Sequence, residues 1–154
     1  MAWTTPKTDW KAEYNSAAIY QGDFFNVQDY NRIKNNLQYV RDRGTELFYG
    51  LPVLNLGGDK HFPTPGSPDF NNDNIFADEI NKIENGLQGI QDVIGLFDYG
   101  KKKTFYENGA FIDYVELNRI ERAELDLYEH IESSIAGKIR FQFRLGQRGN
   151  TIRV

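Results

Sequence analysis

The chain has 154 residues, a net charge of −4 and 40% hydrophobic residues, a composition typical of one globular domain and not of a disordered chain. It contains no cysteine, which excludes disulfides, thiolate metal sites and a cysteine nucleophile. No apolar stretch reaches the length of a membrane span and the first residues form no apolar signal region, so we expect no membrane partner and no Sec export.

Residues 1–24 are predicted to form an extended docking arm, because they contain Pro and Thr and show no helical periodicity. Trp3 and Trp10 are too large to remain in water without a reason. We interpret the arm as inserting both indoles into a groove of a neighbouring protein. Docking onto the chain's own helices is the alternative.

A first amphipathic helix is predicted over about residues 27–43. Asn26 and Asp29 have the spacing of a capping box at its start, and Gly44 is the predicted end. Apolar residues recur every three or four positions and form one face: Tyr30, Ile33, Leu37 and Val40.

A long loop, from Gly50 to Asn74, is predicted to separate this helix from a second one over about residues 76–98, ending at Gly100. The loop is rich in Gly and Pro, and loops of this length usually have a function or are ordered by a partner. The apolar face of the second helix contains Ile80, Ile83, Leu87, Ile90, Ile94 and Phe97.

A third helix is predicted over about residues 114–136, with Asp113 and Glu116 as capping residues and Gly137 as the end. A short hairpin over residues 99–108 is a possible connection to it. The apolar face of this helix contains Leu117, Ile120, Leu127, Ile131 and Ile135.

The last segment, residues 138–154, alternates apolar and polar residues and then contains a Gly-rich turn, which predicts a basic β-hairpin. No Asp or Glu follows Glu132, and residues 133–154 contain five Lys or Arg, so the net charge of −4 leaves −9 for residues 1–132. Strand alternation puts Arg and Phe on opposite faces, which disfavours nucleic acid as a partner. The predicted partner-binding residues here are Arg140, Phe141, Phe143, Arg144 and Arg148.

The three predicted helices share one internal repeat. In each, an acidic and an apolar residue precede an Asn, which is followed by a basic residue and Ile. Such an Asn can hydrogen-bond backbone groups and fix the register of packed helices, with a solvent-facing position as the alternative. The predicted packing and register residues are Asn31, Ile33, Asn81, Ile83, Asn118 and Ile120.

Together these elements predict a mainly α fold with a small β part. We expect one domain in three parts: the arm of residues 1–24, a helical scaffold of residues 25–137, and the hairpin of residues 138–154. Amphipathic helices of this kind cannot bury their apolar faces alone, so they must pack on one another or on other subunits.

No set of residues predicts catalysis or a cofactor, so we expect a non-enzymatic protein. His61 and His130 lie in different elements, without a cluster of ligands around either. The segment from Asp69 to Asp73 resembles the start of a calcium loop, but Asn74 and Ile80 replace the required Gly and Glu. The segment Gly57-Gly58-Asp59-Lys60 lacks the Gly-Lys-Ser/Thr order of a phosphate-binding loop.

The opening W-T-T-P-K-T-D-W, from Trp3 to Trp10, and the later F-N-x-x-D-Y-N-R-I-x-N-N-L, from Phe25 to Leu37, resemble the start of structural proteins of tailed bacteriophages. The likeness covers about the first 40 residues and recurs weakly in the two later helices. It implies a component of the tail, baseplate or fibre-attachment region.

We therefore expect an adaptor or connector in the virion, assembled in the host cytoplasm, forming a homo-oligomer and binding other virion proteins. The alternative is a receptor- or glycan-binding tail module that uses Tyr99, Phe105 and Tyr106.

Overall fold

The computed structural model describes residues 2–66, 74–95 and 99–149, with side chains as far as Arg140 in the last range. It contains three helices: α1 (Val27–Gly44), α2 (Ala77–Ile94) and α3 (Tyr114–Gly149). The predicted mainly helical fold is confirmed. Within the described residues, β structure is limited to an isolated antiparallel bridge between Tyr14 and Tyr20.

The ends of α1 and α2 follow from their capping residues. Asn26 Oδ1 accepts the N–H of Gln28 at 2.8 Å, and Asp29 Oδ2 accepts the Asn26 N–H at 3.2 Å, so the predicted capping box is present. Helix α2 ends earlier than predicted, because Gly95 adopts a left-handed conformation with φ of 68°. Glycine has no Cβ to oppose that conformation, so it ends the helix without strain. Residues 96–98 of the predicted helix lie outside the described residues.

Helix α3 is longer than predicted. It continues through Gly137, the predicted end, to Gly149. Residues 138–149 are therefore helical where the first strand and turn of a hairpin were expected. A short run of alternating residues cannot by itself distinguish a strand from a helix. Residues 150–154, including the predicted return strand, lie outside the described residues, so the hairpin stays a prediction that this helical backbone does not favour.

All three helices run in the same direction. Arg32 of α1 pairs with Glu121 of α3 near their starts, and eleven residues later on each helix Arg43 pairs with Glu132. This constant offset requires α1 and α3 to be parallel. Helix α2 runs the same way, because Gly86 lies beside Leu37 of α1 and Gly89, one turn later, lies beside Pro52, which binds Arg41 of α1.

Three extended segments return along the bundle, antiparallel to the helices. We call them strap 1 (residues 2–10), strap 2 (residues 51–60) and strap 3 (residues 99–105). Strap 1 precedes α1 and lies in the groove between α1 and α3. Strap 2 precedes α2 and lies between α1 and α2, and strap 3 precedes α3 and lies between α2 and α3. The predicted loop from Gly50 to Asn74 is thus partly strap 2, while its residues 67–73 lie outside the described residues.

Strap 2 shows this arrangement clearly. A Cβ on Gly89 of α2 would lie 3.0 Å from Pro52, and a Cβ on Gly86 would lie 3.0 Å from Leu54, so small residues let the strap approach. On the other side, Arg41 Nε of α1 donates to Pro52 O at 2.7 Å. Strap 3 lies between α2 and α3 in the same way.

The core follows a heptad spacing of three and four residues, as in a parallel coiled coil. Equivalent positions of the three repeats are buried together, and Leu51 fills the space beside Gly44. The five aligned sets are Tyr30, Ile80 and Leu117; Ile33, Ile83 and Ile120; Leu37, Leu87 and Glu124; Val40, Ile90 and Leu127; and Gly44, Ile94 and Ile131.

Candidate functional site: the asparagine clasps and the groove of strap 1

The repeated asparagines hold the straps. Asn31 Oδ1 accepts the Lys60 N–H at 2.9 Å and its Nδ2 donates to the Lys60 carbonyl at 2.7 Å. Asn81 makes the same pair of bonds to Phe105, both at 2.8 Å, and Asn118 makes them to the first strap at 2.8 Å. We call each pair a clasp, since the side chain binds one residue's backbone as a neighbouring β-strand would.

The clasps form a cyclic pattern. Helix α1 holds strap 2, α2 holds strap 3, and α3 holds strap 1 through Trp10. Straps 2 and 3 follow directly after the helix that holds them. Strap 1 is held by a helix more than 100 positions away in the sequence, so this contact closes the ring of three repeats.

Charged side chains repeat the same pattern beside the clasps. Arg32 of α1 bridges Asp29 and Glu121, with a contact of 2.7 Å to each. Arg119 of α3 bridges Glu116 at 2.7 Å and Glu84 of α2. Each Arg thus joins the carboxylate one turn earlier on its own helix to one on a neighbouring helix.

The equivalent position between α2 and α1 has no such Arg–Glu pair. Lys34 stands at the α1 position equivalent to Glu84 and Glu121, so Lys82 of α2 meets no carboxylate there and pairs with Asp78 on its own helix at 3.5 Å. Lys34, which is almost fully buried, binds Asp59 of strap 2 at 2.7 Å. The positive charges of Lys34 and Lys82 therefore pair with separate carboxylates, Asp59 and Asp78.

Glu121 is the centre of the groove that binds strap 1. Its carboxylate accepts the backbone N–H of Lys7 at 2.6 Å and the indole N–H of Trp10 at 2.8 Å, besides the two N–H groups of Arg32. Trp10 is only 4% exposed. A buried carboxylate with four donors is well compensated, so this contact fixes strap 1 in one register.

The outer half of strap 1 is held by α1 and by aromatic stacking. Asn36 Oδ1 accepts the Thr4 N–H at 3.0 Å and its Nδ2 donates to the Thr4 carbonyl at 2.7 Å, which makes a fourth clasp. Trp3 stacks on Tyr128 with ring centroids 4.1 Å apart and planes at 4°. Both indoles are thus docked on the chain's own helices, the alternative to docking in a neighbour.

Glu124 lies in the core beneath this groove. It is fully buried, and neither of its carboxyl oxygens has a hydrogen-bond partner among the described residues. Burial raises the pKa of this carboxyl well above its ordinary value, and the charge of Glu121 raises it further. The Arg32 guanidinium and the Asn36 amide oppose this shift.

The structure describes one of the predicted partner-binding side chains of the last segment. Arg140 is exposed on α3, and the side chains of Phe141, Phe143, Arg144 and Arg148 lie outside the described residues. Residues 136–140 are all exposed, including Ile139 at 60%. Helix α3 therefore leaves the bundle as a single helix.

The aromatic residues proposed for glycan binding are separated. Phe105 is buried in the core, and the Tyr99 hydroxyl donates to the Leu87 carbonyl at 3.1 Å. Tyr106 alone of the three is open to solvent, at 73%. Within the described part of the chain, no group of three or more His, Asp or Glu side chains could hold a metal ion. The calcium-like segment from Asp69 to Asp73 lies outside the described residues.

The sequence pattern identified the asparagines but not their partners. A clasp binds backbone atoms, so it requires no particular side chain in the strap that could be recognised in the sequence. It also did not single out Asn36 or Glu121. The repeat alignment contains a signal for Glu124, since it stands where the other repeats have Leu37 and Leu87.

No family model, curated protein or solved structure matches this chain. In the part of the chain that the structure describes, we find no helix with the length and apolar character needed to span a bilayer.

Proposed function

We propose that this protein is a structural component of a tailed-phage particle, an adaptor or connector in the tail, baseplate or fibre-attachment region. The resemblance of residues 3–37 to phage structural proteins supports this role. The docked straps support it too, since they give the chain a rigid scaffold without using a partner.

The observation that carries the proposal is the projection of α3. Gly44 and Ile94, the last residues of α1 and α2, align with Ile131, but α3 continues 18 residues further, to Gly149. Among the described side chains Ile135 is the last buried one of α3, so the 14 residues from there to Gly149 give about 21 Å of helix beyond the core at 1.5 Å per residue. An isolated helix of this length is marginal in water, so a partner is expected to stabilise it.

Charge indicates the kind of partner. Residues 133–154 have five positive charges and no acidic residue, whereas residues 1–132 have a net charge of −9. Long-range attraction therefore favours an acidic surface over a second basic segment. An acidic virion protein, or the acidic body of another copy in a multi-copy ring, provides such a surface.

The test is co-expression with each structural protein encoded beside this one, followed by size-exclusion chromatography with light scattering. The matched variant ends after Gly137 and keeps all the core positions. We expect a stoichiometric complex or a homo-oligomer for the full chain and loss of association for the shortened chain with unchanged circular dichroism. A full-length monomer that associates with none of these proteins would contradict the proposal.

A receptor- or glycan-binding module remains the second candidate, but it has less support because two of its three aromatic residues are engaged within the fold. Binding of the isolated protein to purified cell walls, lost in Tyr106→Ala, would favour it over the adaptor.

A further inference from the structure

The core contains one carboxyl group for which the fold provides no partner. Glu124 occupies the layer filled by Leu37 and Leu87 in the other two repeats, and neither of its oxygens is hydrogen-bonded among the described residues. A buried carboxylate without donors costs far more than a buried neutral acid. The folded structure therefore favours the protonated form.

The charged groups around Glu124 are committed to other contacts. On α3 itself, Glu121 repels a second negative charge. On α1, Arg32 is the nearby cation, and three of its five N–H groups bind Asp29 and Glu121. On α2, the equivalent position is Leu87, and Glu84 is paired with Arg119. On strap 1, the ammonium group of Lys7 pairs with Asp23 at 2.6 Å.

Two of the nearby donors also hold strap 1. The Asn36 amide lowers the pKa of Glu124, and it donates one of the two hydrogens of its Nδ2 to the Thr4 carbonyl. Arg32 fixes Glu121, which in turn binds the backbone of Lys7 and the indole of Trp10. A charged Glu124 would attract both donors, and any shift of them toward it would strain the contacts that keep strap 1 in its groove.

We propose that Glu124 is a proton-controlled latch for strap 1. The strap stays docked between α1 and α3 while the Glu124 carboxyl carries its proton, and it leaves the groove when that proton passes to solvent. Release uncovers the stacked faces of Trp3 and Tyr128 and the clasping amide of Asn36. This device does not depend on the proposed role in a phage particle.

The direction of the pH effect follows from proton linkage. The docked state binds the Glu124 proton more tightly than the released state, in which water solvates the carboxyl, so rising pH favours release. The opening equilibrium of strap 1 should increase about tenfold per pH unit between about pH 4.5 and the pKa of the docked carboxyl. Above that pKa it should level off.

Hydrogen–deuterium exchange of the intact chain tests the latch, with rates corrected for the intrinsic effect of pH. The readouts are the Thr4 and Trp10 amides, which are clasped on strap 1. The Lys60 and Phe105 amides serve as internal references, because equivalent asparagines clasp them on straps 2 and 3. We expect protection of strap 1 to fall with rising pH while the references stay protected.

Glu124→Gln should remove this selective fall, and Asp126→Asn, which neutralises an exposed carboxyl two residues away on α3, should retain it. If Glu124→Gln does not fold, Glu124→Leu, which matches the other two repeats, replaces it. The latch is overturned if wild type and the Glu124 variant show the same pH dependence. It is also overturned if all three straps lose protection together, since that indicates opening of the whole bundle.

Discussion

Asparagine suits the clasp position because its amide offers one donor and one acceptor group with the spacing of a peptide unit. The straps form no sheet, so their inward-facing N–H and C=O groups would otherwise lack partners when packed on the helices. Asn31, Asn81 and Asn118 satisfy both groups of one strap residue without requiring any particular strap side chain.

We expect Asn81→Ala to lower the free energy of unfolding by about 1–3 kcal/mol, because it leaves the backbone N–H and C=O of Phe105 without their partners. Chemical denaturation measures the change. Asn85→Ala on the same helix is the matched control. Asn85 is exposed and binds only the exposed Lys102 side chain, so its loss should cost less than about 0.5 kcal/mol. Equal effects of the two variants would rule out a structural role for the clasp.

The two buried glutamates of α3 should respond oppositely to the same substitution. Glu124→Leu removes an unpartnered polar group and is expected to stabilise the fold by about 1–3 kcal/mol. Glu121→Leu leaves two N–H groups of Arg32 and the donors of strap 1 without their acceptor, and is expected to destabilise it by about 3–5 kcal/mol. Thermal and urea unfolding at one pH compare them. Destabilisation by Glu124→Leu would show that this carboxyl has a partner in solution.

At the scale of the elements, each helix depends on the strap that it clasps. The straps cover the grooves between parallel helices, where Gly86 and Gly89 allow close approach of strap 2. The exception is the end of α3, which continues beyond both the straps and the other helices. Because Gly137 lies within α3 and does not end it, the helix projects beyond the core.

Substitution of Gly137 tests whether α3 continues through this residue. A Cβ there would meet no atom within 4 Å, and Ala is favoured over Gly in a helix by about 0.5–1 kcal/mol, so Gly137→Ala should increase helix content and stability. Gly95→Ala is the contrasting variant. Its φ of 68° is strained for Ala, so it should destabilise the fold by about 1 kcal/mol. Circular dichroism and denaturation measure both, and loss of helix in Gly137→Ala would indicate that α3 ends there.

At the scale of the whole molecule, three helix-and-strap units in one chain form a bundle with approximate threefold repetition. The repetition is incomplete in the polar contacts. Two of the three interfaces have an Arg–Glu pair, and one core layer contains Glu124 in place of Leu. These departures make the α1–α3 groove chemically distinct from the other two.

The stability of the whole molecule should be highest at weakly acidic pH. Hydrogen bonds and ion pairs lower the carboxyl pKa values of Asp23, Asp59 and Glu132 in the folded state, so the stability they contribute is lost as pH falls through those values. Burial raises the pKa values of Glu84 and Glu124, so stability falls as pH rises above about 4.5. We expect a maximum near about pH 4.5, where the rise on the acidic side ends and the fall on the alkaline side begins.

Urea unfolding midpoints measured on both sides of this maximum, up to about pH 8, give the dependence of stability on pH. Glu124→Leu should flatten its alkaline side and leave its acidic side unchanged. A wild-type profile that rises steadily to pH 8 would contradict the buried, protonated state of this carboxyl.

Much of the scaffold was predictable from local signals. The periodicity of apolar residues located all three helices, and the Asn26 capping box fixed the start of α1. The predicted ends of α2 and α3 were wrong, because a glycine ends a helix only if the chain beyond it turns away. Gly95 adopts the left-handed conformation that permits this, and Gly137 stays helical.

The sequence by itself determined which residues form the three amphipathic faces and which asparagines repeat, because spacing along a helix is a local property. Tertiary structure alone decided what those asparagines hold, that Trp3 and Trp10 dock on their own chain, and that Glu124 lies without a partner. Those outcomes depend on which distant segments fill the grooves between parallel helices. A clasp binds backbone atoms that every residue shares, so the identity of its partner is set by chain topology and not by side-chain pattern.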